Sequence, residues 1–313
     1  MQQGKVGAAW ADTEIGPRKV IVMTQLIGAL SEIADRYDAL FCDLWGCLHN
    51  GVAPFPEAVA ALQSFRANGG RVILVTNAPR PKSSVVKQLD KMGLPRDTWD
   101  DVATSGDATQ YAMLTGAAGR RVHHIGAPKD EPFFTDFEAD IAPLVADAGI
   151  SRVPLEQAEG IICTGLADDG TETPDDYRAT LLMAKTLGLP MLCANPDIVV
   201  DMGEKRLWCA GALARDYEAM GGEALYYGKP HPPVYDLARR RLGLDDARIL
   251  CVGDGIATDV QGGVAEGLDT LFVTGGIAAA EFGPDSLNPD KGLLLDWLAK
   301  HQLSATWAIS HLR

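Results

Sequence analysis

A carboxylate at the end of an apolar run is the first group in this sequence that could do chemistry. The run Leu40–Cys42 is followed by Asp43, and Gly46 comes three residues later. Open α/β sheets place ligands and reacting groups at the carboxyl ends of their strands. Asp43 could therefore be a nucleophile, a metal ligand or a helix N-cap. The glycines at 46 and 51 favour a tight turn over an immediate helix, which weakens the capping interpretation.

A hydroxyl and an ammonium group follow two further apolar runs. Thr76 and Asn77 come directly after Val72–Val75. The Thr76 hydroxyl could hydrogen-bond an anion or cap a turn. Lys229 stands between Gly228 and Pro230, where it could be a point charge for a phosphate or an exposed surface lysine.

Two carboxylates follow the run that ends at Val252. Asp254 lies between two glycines, and Asp259 comes five residues after it. Such a pair offers the hard oxygen ligands that Mg²⁺ prefers, although Asp259 could instead stabilise the first turn of a helix. The four groups occur in the order acid, hydroxyl, lysine and paired acids. Because the carboxyl ends of parallel strands meet at one edge of a sheet, we expect these groups to converge.

The elements that must position these groups alternate between apolar strands and amphipathic helices, which indicates βαβ units and a parallel sheet. Eight strands are predicted: Ala39–Leu44, Val72–Thr76, Val122–Ile125, Gly160–Thr164, Met191–Ala194, Ala224–Tyr227, Ile249–Val252 and Thr270–Val273. Seven helices are predicted: Pro56–Ala67, Ser83–Met92, Asp136–Ala148, Pro174–Leu187, Ala210–Met220, Pro233–Leu242 and Ile256–Glu266. The fold class predicted is α/β, a Rossmann-like doubly wound parallel sheet with a smaller inserted α/β domain.

The four motifs together resemble those of the haloacid dehalogenase-like hydrolase superfamily. They are Asp43-Leu44-Trp45-Gly46, Thr76-Asn77, Gly228-Lys229-Pro230, and Gly253-Asp254 with Thr258-Asp259. The resemblance covers a core predicted at 24–118 and 206–313. The insert, predicted at 119–205, looks like the type II cap of the subclass IIA nucleotide, nitrophenyl phosphate and phosphoglycolate phosphatases. Residues 1–23 are predicted to be an N-terminal tail.

The resemblance implies roles for the matched residues. Asp43 would attack phosphorus and form an aspartyl-phosphate that water then hydrolyses. Thr76 and Lys229 would hold the phosphoryl oxygens. Further phosphate or substrate contacts are expected from Asn77 and, in the insert, from Asn195 and Asp197.

The resemblance also implies a Mg²⁺ cofactor. Its expected ligands are Asp43, Asp254 and the main-chain carbonyl of Trp45, with Asp259 in support. Phosphatases of the superfamily usually have aspartate where this chain has Trp45. That aspartate protonates the leaving group and activates water, and its loss typically costs about 10²- to 10⁴-fold in rate. Indole donates hydrogen bonds but cannot transfer that proton, so aryl and acyl phosphates should be affected least.

Other functions stay open on these residues. Trp45 favours a catalytically impaired phosphate-binding or regulatory module, whereas the intact Asp43 favours an enzyme. Dehalogenases of the superfamily need no metal, so the retained Asp254 and Asp259 speak against that activity. Lysines in the insert leave phosphonate cleavage open: Lys129, Lys185 and Lys205.

Composition limits the partners. The formal net charge is -14 over 313 residues, which disfavours nucleic acid and anionic membranes but not a small phosphorylated metabolite. The six cysteines form no CxxC pair, so we interpret them as small buried apolar residues in a reducing compartment. The sequence has no spanning apolar run, its first 22 residues lack the compact apolar stretch of a secretory signal, and we expect a cytoplasmic location. Homo-oligomerisation is left open.

Overall fold

The computed structural model describes residues 24–202 and 205–313, so the predicted tail 1–23 lies outside the described part of the chain. A seven-stranded sheet forms the larger unit, with every neighbouring pair of strands parallel. Its strands are β1 (Gln25–Leu26), β2 (Ala39–Cys42), β3 (Arg71–Thr76), β4 (Asp101–Thr104), β12 (Ile249–Gly253), β13 (Asp269–Val273) and β14 (Trp307–Ile309). The spatial order is β1-β14-β13-β12-β2-β3-β4. The chain runs outward in both directions from the β12–β2 pair, which makes that pair the switch point where such sheets bind ligands.

A second parallel sheet of five strands forms the smaller unit, in the order β11-β8-β7-β5-β6. Its strands are β5 (Arg121–Ile125), β6 (Ser151–Arg152), β7 (Gly160–Cys163), β8 (Pro190–Cys193) and β11 (Glu223–Tyr226). An antiparallel pair, β9 (Val199–Met202) and β10 (Lys205–Trp208), lies between β8 and β11 in the chain.

Helices connect the strands, as parallel sheets require. The α-helices are α1 (Pro56–Ala67), α2 (Lys82–Lys91), α3 (Ser105–Leu114), α4 (Pro132–Thr135), α5 (Ala142–Ala148), α6 (Arg178–Leu187), α7 (Ala210–Ala219), α8 (Pro232–Leu242), α9 (Gln261–Ala265) and α10 (Lys291–Lys300). A π-helix, Ile256–Val260, precedes α9 directly after β12. A 3₁₀ turn, Pro174–Tyr177, precedes α6.

The central strands are buried on both faces. Leu40 and Cys42 pack into one apolar cluster, while Phe41 packs into another on the opposite face. Alternate residues of a strand point to opposite faces, so both faces of the sheet are covered. This explains why the strands read as continuous apolar runs, and it leaves the strand ends as the places where polar groups emerge.

The predicted fold class is confirmed, and each of the eight predicted strands has an observed counterpart. The smaller unit ends later in the chain than predicted. The sequence analysis predicted an insert at 119–205, but β11 pairs with β8 of the smaller sheet. Helix α7 also packs into the apolar cluster of that unit through Leu213 and Tyr217. The smaller unit therefore extends at least to Tyr226.

Two further observations bear on the sequence analysis. All six cysteines are free and buried. Among the described residues, the helices are too short or too polar to cross a bilayer.

Candidate active site

Three predicted residues meet at the ends of two neighbouring strands. Asp43 follows β2, and its backbone N–H donates to the Val252 carbonyl at 2.8 Å. Lys229 Nζ lies 2.6 Å from Asp43 Oδ1 and 2.7 Å from Asp259 Oδ1. All three side chains are buried. The ammonium group therefore bridges the predicted nucleophile and a second carboxylate.

Lys229 reaches this position by a route that the sequence analysis did not foresee. The strand before it, β11, belongs to the smaller sheet and not to the larger one. Lys229 meets the carboxylates as expected, but it follows a strand of the smaller sheet and not a strand of the larger one. Asn77 holds the lysine in place: its Oδ1 accepts the Lys229 N–H at 2.6 Å, and its Nδ2 donates to the Lys229 carbonyl at 3.1 Å. Asn77 thus positions Lys229 through the backbone.

Burial and charge act in opposite directions on these groups. Burial raises the pKa of the Asp43 carboxyl above its usual range, and the ammonium of Lys229 opposes this. Burial lowers the pKa of Lys229, but Asp259 and Asp43 outweigh it and raise the pKa well above its usual value. Lys229 is therefore a fixed positive charge at neutral pH.

The third acidic group, Asp254, faces the same space with fewer hydrogen-bond donors around it. Its Oδ2 accepts the backbone N–H of Ile277 at 2.8 Å, and no described side chain donates to it. Burial, followed by the charge of Asp259, raises the pKa of Asp254 to about 7. Backbone packs closely around the carboxylate, because a Cβ on Gly46 or Gly276 would lie 2.1 or 2.0 Å from Asp254 Oδ2. Only glycine fits at these two positions.

Thr76 ends β3 beside this group and is 4% exposed. Its Oγ1 accepts the backbone N–H of Ala78 at 3.2 Å. Within residues 24–202 and 205–313 its hydroxyl proton has no acceptor. A buried hydroxyl with a free proton is suited to donate to an anionic oxygen.

The two predicted residues of the insert lie at the boundary between the units. Asp197 Oδ1 accepts from Asn77 Nδ2 at 2.8 Å, so it joins the smaller unit to the group that holds Lys229. Burial raises the pKa of the Asp197 carboxyl. Asn195 accepts the Asp197 N–H at 3.0 Å through its Oδ1. Asn195 therefore shapes the turn that presents Asp197.

Trp45 lies in the turn after β2 and packs against that turn. Its indole meets the imidazole of His49 edge to face, with ring centroids 5.3 Å apart. A Cβ on Gly51 would lie 2.3 Å from Trp45 Cη2, so the indole packs directly against the backbone of this glycine. No described residue donates a hydrogen bond to the Trp45 carbonyl, which leaves that oxygen free for another partner.

The donor groups fit a divalent cation. Ligand atoms of Asp43, Asp254 and Cys47 all lie within 4.8 Å of one another, and all three residues are buried. Three buried carboxylates face a single ammonium, so the site carries excess negative charge. Asp43, Asp254 and the Trp45 carbonyl are the oxygen set expected for Mg²⁺. The sequence analysis missed Cys47 and the Ile277 amide; the glycine pair at 275 and 276 was the one signal for the latter.

Two family models match the chain. A model described as haloacid dehalogenase-like hydrolase covers residues 40–139, and one described as HAD-hydrolase-like covers residues 226–297. The matches include all four motifs, at positions 43–46, 76–77, 228–230 and 253–259.

Solved and curated proteins of the same kind are similar along most of the chain. A haloacid dehalogenase-like hydrolase from Brucella suis 1330 is 40% identical, with a TM-score of 0.78 over 92% of this chain and 100% of that chain. A glycerol phosphate phosphatase from Mycobacterium tuberculosis, solved with magnesium, is 27% identical, with a TM-score of 0.60 over 81% of this chain and 73% of that chain. A 5′-nucleotidase of Bacillus subtilis (strain 168) is 24% identical over 80% of this chain and 92% of its own length.

Proposed function

We propose that this chain, which belongs to the haloacid dehalogenase-like hydrolases, is a Mg²⁺-dependent phosphatase of a small phosphorylated metabolite. The observation that carries the proposal is the buried Lys229 bridge to Asp43 and Asp259. A nucleophile, a fixed cation and a free hydroxyl at one edge of the sheet are the parts that phosphoryl transfer through a carboxylate needs. Two similar proteins are named as a phosphatase and a nucleotidase, which supports this reaction class.

In the proposed reaction Asp43 attacks the phosphorus of the substrate. A bond forms between the carboxylate oxygen and phosphorus, and the bond from phosphorus to the leaving oxygen breaks. Water then attacks the aspartyl-phosphate and releases inorganic phosphate, which regenerates Asp43. Lys229 and the Thr76 hydroxyl bind the equatorial oxygens, where negative charge accumulates.

A divalent cation would be held by Asp43, Asp254 and the Trp45 carbonyl. Its chemistry is charge neutralisation, which lets an anionic carboxylate approach an anionic phosphate. Asp259 has a supporting part. Its Oδ2 accepts from the Thr258 hydroxyl at 3.1 Å and its Oδ1 from Lys229, so it positions the lysine.

Proton transfer to the leaving group is the weak point of the proposed mechanism. Trp45 occupies the position from which an acid would act, and its indole packs on Gly51 and His49. Rates should therefore depend steeply on the leaving group, with aryl and acyl phosphates turning over faster than alkyl phosphates. We propose that efficient substrates have a leaving oxygen that needs little or no protonation.

The test is turnover of p-nitrophenyl phosphate with Mg²⁺ by the full chain and by Asp43→Asn. We expect the variant to lose activity by at least about 10³-fold, because the amide is not a nucleophile. Asp38→Asn is the matched control: Asp38 lies before the opposite end of β2 and pairs with exposed Arg248 at 2.8 Å. Activity retained in Asp43→Asn would refute the proposal.

A phosphate-binding or regulatory module is the second candidate, and the replacement of the usual acid by Trp45 favours it. This function predicts no turnover of any phosphate ester by the unmodified chain, but retained binding of inorganic phosphate with Mg²⁺. Calorimetric titration beside the turnover assay separates the two functions.

A further inference from the structure

Cys47 is a buried thiol that faces the carboxylates of the candidate active site. It lies in the turn after β2, is 1% exposed, and makes no hydrogen bond to any described residue. Its Sγ belongs to the group that lies within 4.8 Å of the carboxylate oxygens of Asp43 and Asp254. The sulfur therefore lies within reach of an ion that both carboxylates could bind.

The other thiols near the site are held differently. Cys42 donates to the Asp43 carbonyl at 3.2 Å, and Cys193 donates to the Asn195 carbonyl at 3.3 Å. Cys251 lies within β12 and is outside the clustered ligand atoms. Cys47 is thus distinguished from ordinary buried cysteines by its unpartnered sulfur and its two carboxylate neighbours.

Asp254 gives independent support for a cation in this space. The carboxylate is 3% exposed and accepts from the Ile277 amide, but no side chain in the described part of the chain donates to it. Lys229 is already engaged with Asp43 and Asp259. A buried carboxylate without a cationic side chain in contact is stabilised by a bound metal ion.

We propose that Cys47 is a metal ligand of this site when the bound ion accepts sulfur, such as Co²⁺, Zn²⁺ or Cd²⁺, so that the site binds these ions more tightly than Mg²⁺. Carboxylates and carbonyls suit Mg²⁺, whereas a thiolate favours softer ions. Binding through sulfur transfers the thiol proton to solvent, so one proton is released for each ion that Cys47 binds. With Mg²⁺ the thiol stays outside the coordination sphere. The inference rests on the proposed function only in its use of Asp43 and Asp254 as ligands.

The test is equilibrium binding of Co²⁺, Cd²⁺ and Mg²⁺ to the full chain, followed by absorption and calorimetry. Co²⁺ bound to the unmodified protein should show a thiolate-to-metal charge-transfer band in the near ultraviolet. Cys47→Ser and Cys47→Ala should lose the band and bind Cd²⁺ on the order of tenfold or more weakly, with little change for Mg²⁺. Cys251→Ala is the matched control and should keep both the band and the affinity.

Asp254→Asn separates this inference from the proposed function. If Mg²⁺ binding is lost in Asp254→Asn while the unmodified protein shows no charge-transfer band, Cys47 is not a ligand and the proposed function stands. If no divalent ion binds the unmodified protein, both are overturned. Should both Cys47 variants fail to fold, the band in the unmodified protein with Cys251→Ala beside it still decides the matter.

Discussion

At the scale of single residues, the proposed mechanism makes Trp45 the residue that limits which phosphate esters the site can use. Its indole packs on Gly51 and against His49, and the family resemblance puts it where an acid is expected to protonate the leaving oxygen. Because the metal ligand proposed at this position is the main-chain carbonyl, the side chain can change without removing a ligand. Proton transfer can therefore be altered separately from charge neutralisation.

We predict that Trp45→Asp increases turnover of an alkyl phosphate by about tenfold or more, since a positioned acid typically contributes 10²- to 10⁴-fold. Turnover of p-nitrophenyl phosphate should change much less. Trp45→Asn is the matched control, because it has the same size without a titratable proton. Equal gains in the two variants would show that space, and not proton transfer, limits the rate.

His49, in the same turn, makes the stability of the fold depend on pH. It is 2% exposed, its Nδ1 accepts the Gly51 N–H at 2.9 Å, and burial lowers its pKa to about 4. The unfolded chain therefore binds a proton near pH 6.5 that the folded chain binds only near pH 4. Stability contributed by the neutral imidazole is complete above pH 6.5 and is lost as the pH falls toward 4.

We predict that His49→Asn, whose amide oxygen can accept the same hydrogen bond, has a shallower loss of stability between pH 6.5 and 4. The difference in slope should approach about 1.4 kcal/mol per pH unit, the value for one proton. Urea unfolding across this range measures it. Identical slopes in the unmodified protein and in His49→Asn would contradict the assignment.

At the scale of elements, a buried ion pair joins helices α3 and α8. Asp107 Oδ2 lies 2.7 Å from Arg241 Nη1, with side-chain exposures of 1% and 8%. Asp107 Oδ1 also accepts the Lys82 N–H at 2.9 Å, and Thr104 Oγ1 accepts the Asp107 N–H at 2.9 Å at the start of α3. Asp107 therefore has a structural role, which is to hold these helices together, and not a chemical one.

We predict that Asp107→Ala lowers the free energy of unfolding by about 3–5 kcal/mol, because Arg241 would be left buried and unpaired. The matched control is Glu131→Ala, which breaks the solvent-exposed pair with Arg152 and should cost far less. Urea denaturation measures both. A similar loss in the two variants would mean that the Asp107–Arg241 pair is not effectively desolvated.

The elements also show what the sequence could and could not predict. The long apolar strands and amphipathic helices were predictable because their periodicity is local. Strand β4, with the pattern Asp101-Val102-Ala103-Thr104, and helix α3 after it were missed, since neither has a strong local pattern. The two-residue β1 and three-residue β14 exist only through pairing with distant strands.

The same distinction applies to the site. Asp43, Asp254 and Asp259 follow β2 or β12, and their meeting could be predicted from parallel strand ends. Cys47 resembled any buried cysteine, because its importance comes from the carboxylates around it and not from its neighbours in sequence. The assignment of β11 to the smaller sheet depends on its pairing with β8, which no local pattern records.

At the scale of the whole molecule, one hydrogen bond connects the smaller unit to the machinery that holds Lys229. Asn77 contacts Asp197 on one side and the Lys229 backbone on the other. We predict that Asp197→Ala lowers kcat/KM about tenfold, the equivalent of about 1.4 kcal/mol, which is typical for a hydrogen bond to a charged group. Steady-state kinetics should show the same factor for aryl and alkyl phosphates.

The comparison between the decrease for aryl phosphates and the decrease for alkyl phosphates is the informative result. If Asp197→Ala harms alkyl phosphates far more than aryl phosphates, Asp197 is a proton donor and not a link between the units. Asn195→Ala, which removes the acceptor of the Asp197 N–H but keeps the carboxyl group, is the control that separates loss of the turn from loss of the acid.

The chain passes from the end of β11 at Tyr226 to Lys229 with only two residues between them. Successive Cα atoms are about 3.8 Å apart, so this connection spans at most about 11 Å. A displacement of β11 would therefore pull on the Lys229 backbone, which Asn77, after β3 of the larger sheet, holds through two hydrogen bonds. In the proposed mechanism, the charge that stabilises the phosphoryl group is therefore anchored from both units at once: the smaller sheet supplies the strand that leads to Lys229, and the larger sheet supplies the side chain that holds its backbone.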